Sequence, residues 1–201
     1  MFLMKRSGRP GRLYSFICST NMLRNKIKIL SLDPGTKHLG FAFFENDDLV
    51  DYGVKTIRQG SSNIILRHID EICDRWARTI KPDFLVLEKN QFSQIQTNLR
   101  LMLAISRLKK SARRNGIPCY EFDPKTIRKA ICNDGNATKK RVAEVLVTYF
   151  PELVPYIKSD KEWKIKYHQN MFDAVAVGMV FIKQHINSSQ RFWQLFWRKK
   201  S

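Results

Sequence analysis

Residues 29–44 read Ile29-Leu30-Ser31-Leu32-Asp33-Pro34-Gly35-Thr36-Lys37-His38-Leu39-Gly40-Phe41-Ala42-Phe43-Phe44. Two apolar runs flank a Pro-Gly turn, which predicts a hairpin whose first strand carries Asp33 at its end. A carboxylate at the end of a buried strand, just before a tight turn, is held rigidly enough to serve as an acidic metal ligand. The same residue is also an ordinary turn former ahead of Pro-Gly.

Strands are expected over roughly 26–33, 38–45 and 48–57, with Asn46-Asp47 as the second turn. Ser61 or Ser62 can cap a helix in which Ile65, Ile69, Ile72 and Trp76 recur at helical spacing, and Lys81-Pro82 ends it. Phe84-Leu85-Val86-Leu87-Glu88 reads as a buried strand that ends on a second carboxylate. A helix over about 94–115 closes at Asn115-Gly116, Ile117–Phe122 gives a fifth strand, and three helical stretches follow: 125–131, 139–150 and 167–185. This order predicts an α/β fold, a mixed five-stranded sheet with helices on both faces.

With 201 residues and 43% hydrophobic content, the chain supports one well-buried core and one domain. We expect a basic N-terminal arm over 1–25, a folded domain over 26–186 and an aromatic, basic tail over 187–201. The arm has no acidic residue and carries Lys5, Arg6, Arg9, Arg12 and Arg24. It fits a disordered segment that grips phosphates, an organelle-targeting peptide, or an extension ahead of a start at Met22.

Lys and Arg number 36 against 18 acidic residues, a formal charge of +18, which points to a polyanionic partner, nucleic acid first, rather than a small neutral substrate. The plainer use of such charge is solubility. Cys18, Cys73, Cys119 and Cys132 show no CxxC pairing, and Cys73 and Cys119 lie in apolar segments. They read as reduced core thiols of an intracellular, reducing compartment. The longest apolar run, Ala174 to Ile182, is about half the length needed to cross a bilayer, so no membrane partner is expected.

Asp173 lies in Asn170-Met171-Phe172-Asp173-Ala174-Val175-Ala176-Val177-Gly178, a helix apolar enough to be buried. A carboxylate there needs a cation or a metal, although an Arg partner would also serve. Asn170, three residues earlier, shares its face. Oxygen donors from two strand ends and one helix suit magnesium or manganese.

Asp33-Pro34-Gly35-Thr36 with Gly40, Leu87-Glu88 at the end of the fourth strand, and Asn170-x-x-Asp173-Ala174-Val175-Ala176 in the last helix together resemble the RuvC-type Holliday junction resolvases of the RNase H-like superfamily. Pro124 to Ile131 and Asn133 to Val142 resemble that family's DNA-contacting segment, so the likeness covers about residues 27–186. The resemblance implies a homodimer that binds a four-way DNA junction and makes paired, symmetric nicks with two Mg2+ ions per active site, Mn2+ being able to substitute. It also implies that Asp33 bridges both ions and that Glu88, Asn170 and Asp173 complete their shells. Two narrower likenesses diverge on source: Leu87-Glu88-Lys89 is similar to resolvases of large DNA viruses, and the stretch around Gly135 to the bacterial branch.

The position of Asn170 is usually acidic in this family, sometimes His. An amide removes one negative charge, so metal binding and cleavage are expected to be weaker than in an Asn170→Asp variant. His168 is five residues before Asp173, off its face. Lys139, Lys140 and Arg141 open a helix where cations oppose the dipole, an arrangement that a bound phosphate favours. The resemblance makes Arg128 and Lys139 contacts near the scissile phosphate and Phe92 an aromatic that stacks on a junction base; Phe92 reads equally as core. Arg100, Arg107, Lys109, Lys110, Arg113 and Arg114 make the second helix basic, while its apolar positions suit a dimer interface.

The leading expectation is a structure-specific endonuclease resolving branched DNA. Its rivals are a junction-binding protein whose catalysis is impaired by Asn170, and an RNase H-like nuclease acting on another nucleic acid.

Overall fold

Two turns set the architecture, and both form where the sequence predicts them. β1 (Lys28–Pro34) returns as β2 (His38–Glu45), which returns as β3 (Asp48–Thr56), all antiparallel. Asn46 takes a left-handed φ of 59°, the geometry a tight hairpin turn asks for, and its Oδ1 accepts from the Ile27 backbone N–H at 3.0 Å. β4 (Phe84–Glu88) and β5 (Cys119–Phe122) then add in parallel, giving the order β3-β2-β1-β4-β5. The computed structural model describes residues 26–35, 37–57, 60–89, 99–157 and 162–186. The expectations for the basic arm, Phe92 and the aromatic tail fall outside these residues.

Alternation along the strands divides the core in two. Leu30 and Leu32 of β1, Leu39 and Phe41 of β2, and Leu85 and Leu87 of β4 face α1 (Ser62–Thr79) and α2 (Leu99–Arg114). Ile29, Ala42, Phe44 and Val86 face the opposite layer. That layer holds α3 (Pro124–Cys132), α4 (Lys139–Tyr149), a 3-10 turn (Pro151–Leu153), α5 (Val154–Ile157) and α6 (Glu162–Phe181), which runs into a π-helical turn (Ile182–Ile186). The expected mixed sheet with helices on both faces is what the chain forms.

α6 is buried from Met171 onward and lies across β1 and β2. Gly178 permits this closeness: a Cβ there would stand 2.4 Å from the Phe44 ring and 2.6 Å from Ser31 Oγ. α3 starts at the Asp123 cap, whose carboxylate accepts from Lys125 N–H at 2.9 Å, and stops at left-handed Asn133.

Two local expectations are corrected. Ser61 occupies the cap position of α1, but its side chain makes no capping bond; its carbonyl instead accepts from Ile64 and Ile65. Cys119 is exposed rather than core, because it opens an edge strand, although it shares the face of its register partner Leu85, while Cys73 is buried as expected.

Candidate active site

β1 and β4 are parallel, and their register ends at Leu32 opposite Leu87, so one step further sets Asp33 beside Glu88. Alternation puts both carboxyls on the α6 face, continuing Ile29-Ser31 and Val86. α6 supplies the third acid: Asp173 is only 7% exposed. Three carboxylates distant in sequence therefore converge at the C-terminal ends of neighbouring parallel strands, where open α/β sheets characteristically place their ligands.

Each acid feels the others. Burial raises the Asp33 carboxyl well above the usual carboxylate range, the negative charges of Asp173 and Glu88 push it further, and Lys139 partly offsets them. Glu88 is raised to about 7, first by burial and then by Asp173, against the opposing pull of Lys139 and Arg128. These are the signatures of anionic groups crowded in a site of low dielectric, short of positive charge.

Lys139 answers part of that need. Its Nζ donates to Asp173 Oδ2 at 2.5 Å, while Gln169 Nε2, one helical turn before Asp173, donates to Oδ1 at 3.0 Å. Burial lowers the Lys139 pKa, but Asp173, backed by Asp33 and Glu88, outweighs it and the net shift is upward. The Lys139 side chain remains 53% exposed, so the cation faces the acids and the solvent at once. Thr138 caps α4 by accepting from the Arg141 N–H at 3.1 Å. Lys140 and Arg141 stay at the surface, Arg141 in a loose 3.4 Å pair with Glu144, and half-buried Arg128 acts on Glu88 through space.

Asn170 Nδ2 donates to the backbone carbonyl of His38 at 3.2 Å, so its side chain engages the β1–β2 hairpin while Gln169 shares Asp173. The i, i+4 spacing of Gln169 and Asp173 was a visible signal for this pairing; a reading centred on Asn170 passes over it. His168 lies off the acid face, edge-on to Tyr156 at 4.7 Å and Tyr167 at 5.1 Å.

The basic second helix proves to be half engaged. Arg107 pairs with Asp70 at 3.1 Å, Arg114 with Asp74 at 3.1 Å and Lys109 with Glu121 at 2.8 Å, all within the molecule. Among the described residues, Lys110 and Arg113 form no such ion pair.

The donor set fits a hard divalent cation: carboxyl oxygens on rigid elements, with a mutual repulsion that a cation relieves. Among the described residues no three His, Cys, Asp or Glu side chains already close on a single ion position. What the fold fixes is the convergence of Asp33, Glu88 and Asp173, with Lys139 as the cation facing them.

A family model, Crossover junction endodeoxyribonuclease RuvC, matches residues 29–179. The protein of that name from Gloeobacter violaceus is 30% identical over 126 residues, 60% of this chain and 73% of that protein. Thermus thermophilus RuvC superposes with a TM-score of 0.62 at 18% identity, covering 76% of this chain and 92% of that one. The same protein in complex with Holliday junction substrate gives 0.60, covering 76% and 90% at 18% identity. The yeast mitochondrial Holliday junction resolvase gives 0.55 at 14% identity over 96% and 93%. At these identities the solved structures establish the shared fold.

Proposed function

This chain belongs to the RuvC family of crossover junction endodeoxyribonucleases, and from that premise we propose that it resolves four-way DNA junctions at the site formed by Asp33, Glu88, Asp173 and Asn170. The family membership makes the chain an endodeoxyribonuclease acting in Holliday junction resolution, dependent on a divalent metal. The observation that carries the assignment of the site is the convergence of three acids on adjacent parallel strand ends and one buried helix, with Asp33 and Glu88 held above their ordinary proton affinity.

Asp33, Glu88 and Asp173 would hold Mg2+, two ions per site, with Asn170 contributing at the margin and Mn2+ able to replace it. Bound there, the metal activates water and stabilises charge on a phosphodiester undergoing hydrolysis. The chain's own residues do the rest. Asp33 and Glu88 would give up their protons to a cation held there, because burial first and the crowding of the acids second raise their proton affinity, and a bound positive charge would offset both. Lys139, shared between Asp173 and solvent, is placed to meet a phosphate at the rim, with Lys140, Arg141 and Arg128 extending the positive surface around it. A homodimer would set two such sites on the two strands of one junction, which paired nicking requires.

The test is nicking of a labelled four-way junction by the purified chain in Mg2+ or Mn2+, beside Asp33→Asn. Paired, symmetric nicks that vanish in Asp33→Asn, with junction binding retained over duplex at raised salt, are the expected result. Tight junction binding without nicks from the unaltered chain would favour the reading of a binder with impaired chemistry. Equal affinity for duplex would overturn the substrate.

A further inference from the structure

Asn170 holds more of the site than its own ligand atom. Its Nδ2 donates to the His38 carbonyl at 3.2 Å, and the same oxygen accepts from the Gly35 N–H at 3.0 Å. That second bond lies just beyond the Pro34–Leu39 pair and closes the turn. The hairpin is built to receive the helix at this point. A Cβ on Gly35 would stand 2.6 Å from Asn170 Nδ2, and one on Gly40 would stand 1.9 Å from the Asn170 carbonyl oxygen. Gly40 is the register partner of Asp33. Asn170 thus packs on the very rung that carries the first acid.

We infer that Asn170 is a positioning residue, whose amide N–H clamps the Asp33 hairpin to α6 and so sets where the Asp33 carboxyl stands relative to Asp173. This rests on the reading of Asp33, Glu88 and Asp173 as the metal-holding site. An amide can donate through nitrogen and keep its oxygen as an acceptor, whereas a carboxylate only accepts. At position 170 an ionised Asp would set an oxygen against the His38 carbonyl oxygen and leave that carbonyl with one donor fewer. The charge gained toward a metal would come at the cost of the hairpin that presents Asp33. This reverses the expectation drawn from the sequence, in which Asn170→Asp strengthens the site.

The experiment compares the full chain with Asn170→Asp and Asn170→Ala by amide hydrogen exchange, and by Mn2+ titration followed by electron paramagnetic resonance. Both variants lose the donor, so the Gly35 amide should exchange ~10-fold faster in each. Amides of β4 and α1 serve as the control that the variants are folded. Mn2+ affinity in Asn170→Asp should be no higher than in the unaltered chain, despite the added charge. Unchanged Gly35 exchange, or tighter Mn2+ binding by Asn170→Asp, overturns the proposal. Asp33→Asn separates this from the site reading itself: loss of Mn2+ binding there upholds the site, whereas retained binding overturns the site and leaves the Gly35 exchange to judge the clamp.

Discussion

Glu88 shows what crowding does to a single carboxyl, and the sign of its effect on stability follows. Its folded value near 7 lies above the ordinary 4.5, so the folded chain binds this proton more tightly than the unfolded chain does. Its contribution to stability is present at low pH and is lost as the pH rises through about 7. Glu88→Gln should therefore be more stable than the unaltered chain at pH 8 in chelator, by about 1–3 kcal/mol, with the gap closing toward pH 5. Urea melts across that pH range are the check, and a gap that widens toward acid contradicts the assignment. Lys139→Gln should cost about 1 kcal/mol in the same assay, a modest amount because the ammonium is half in water. The acids themselves were legible in the sequence, each at a strand end or in an apolar helix where a carboxylate needs a reason. The anchoring of Asn170 was not, because its hydrogen bond to a backbone carbonyl in a distant hairpin leaves no mark in residue type or spacing.

The elements were legible where periodicity is long or a turn is chemically specific. Pro34-Gly35 and Asn46-Asp47 fix the meander, and the apolar stripe of α1 runs until Lys81 turns left-handed before Pro82. Shorter pieces escaped. The 3-10 turn and α5 span one turn each around Pro151 and Pro155, too few residues for a stripe to show. The closeness of α6 to the sheet was likewise hidden, since Gly178 in an apolar run looks like any small residue. Gly178→Ala should cost about 1–3 kcal/mol, because its Cβ meets the Phe44 ring and Ser31 Oγ and must lift the helix. A thermal melt reads the loss. Mn2+ affinity should fall with it, as Asp173 rides on the displaced helix; an unaffected Mn2+ titration would show that the helix absorbs the methyl without moving.

Over the molecule, the 36 Lys and Arg residues overstate the cations free to meet a polyanion, since Arg107, Lys109 and Arg114 are tied to Asp70, Glu121 and Asp74. Composition identified the polyanionic partner but not which cations face it. Junction affinity should fall steeply with salt, and Lys140→Ala should reduce the slope of log K against log salt by about 1 if Lys140 meets a phosphate. Arg107→Ala should leave that slope unchanged while lowering the melting temperature, because its partner is Asp70. Fluorescence anisotropy over a salt series separates the two.

The convergence of Asp33, Glu88 and Asp173 also has a bearing on synthesis. The first two lie on strands that emerge early from the ribosome, while the third waits on α6, the helix that also fills its layer of the core. On the proposed assignment of the site, a nascent chain would present two acids and still lack the third, so cutting competence would arrive together with the closed core.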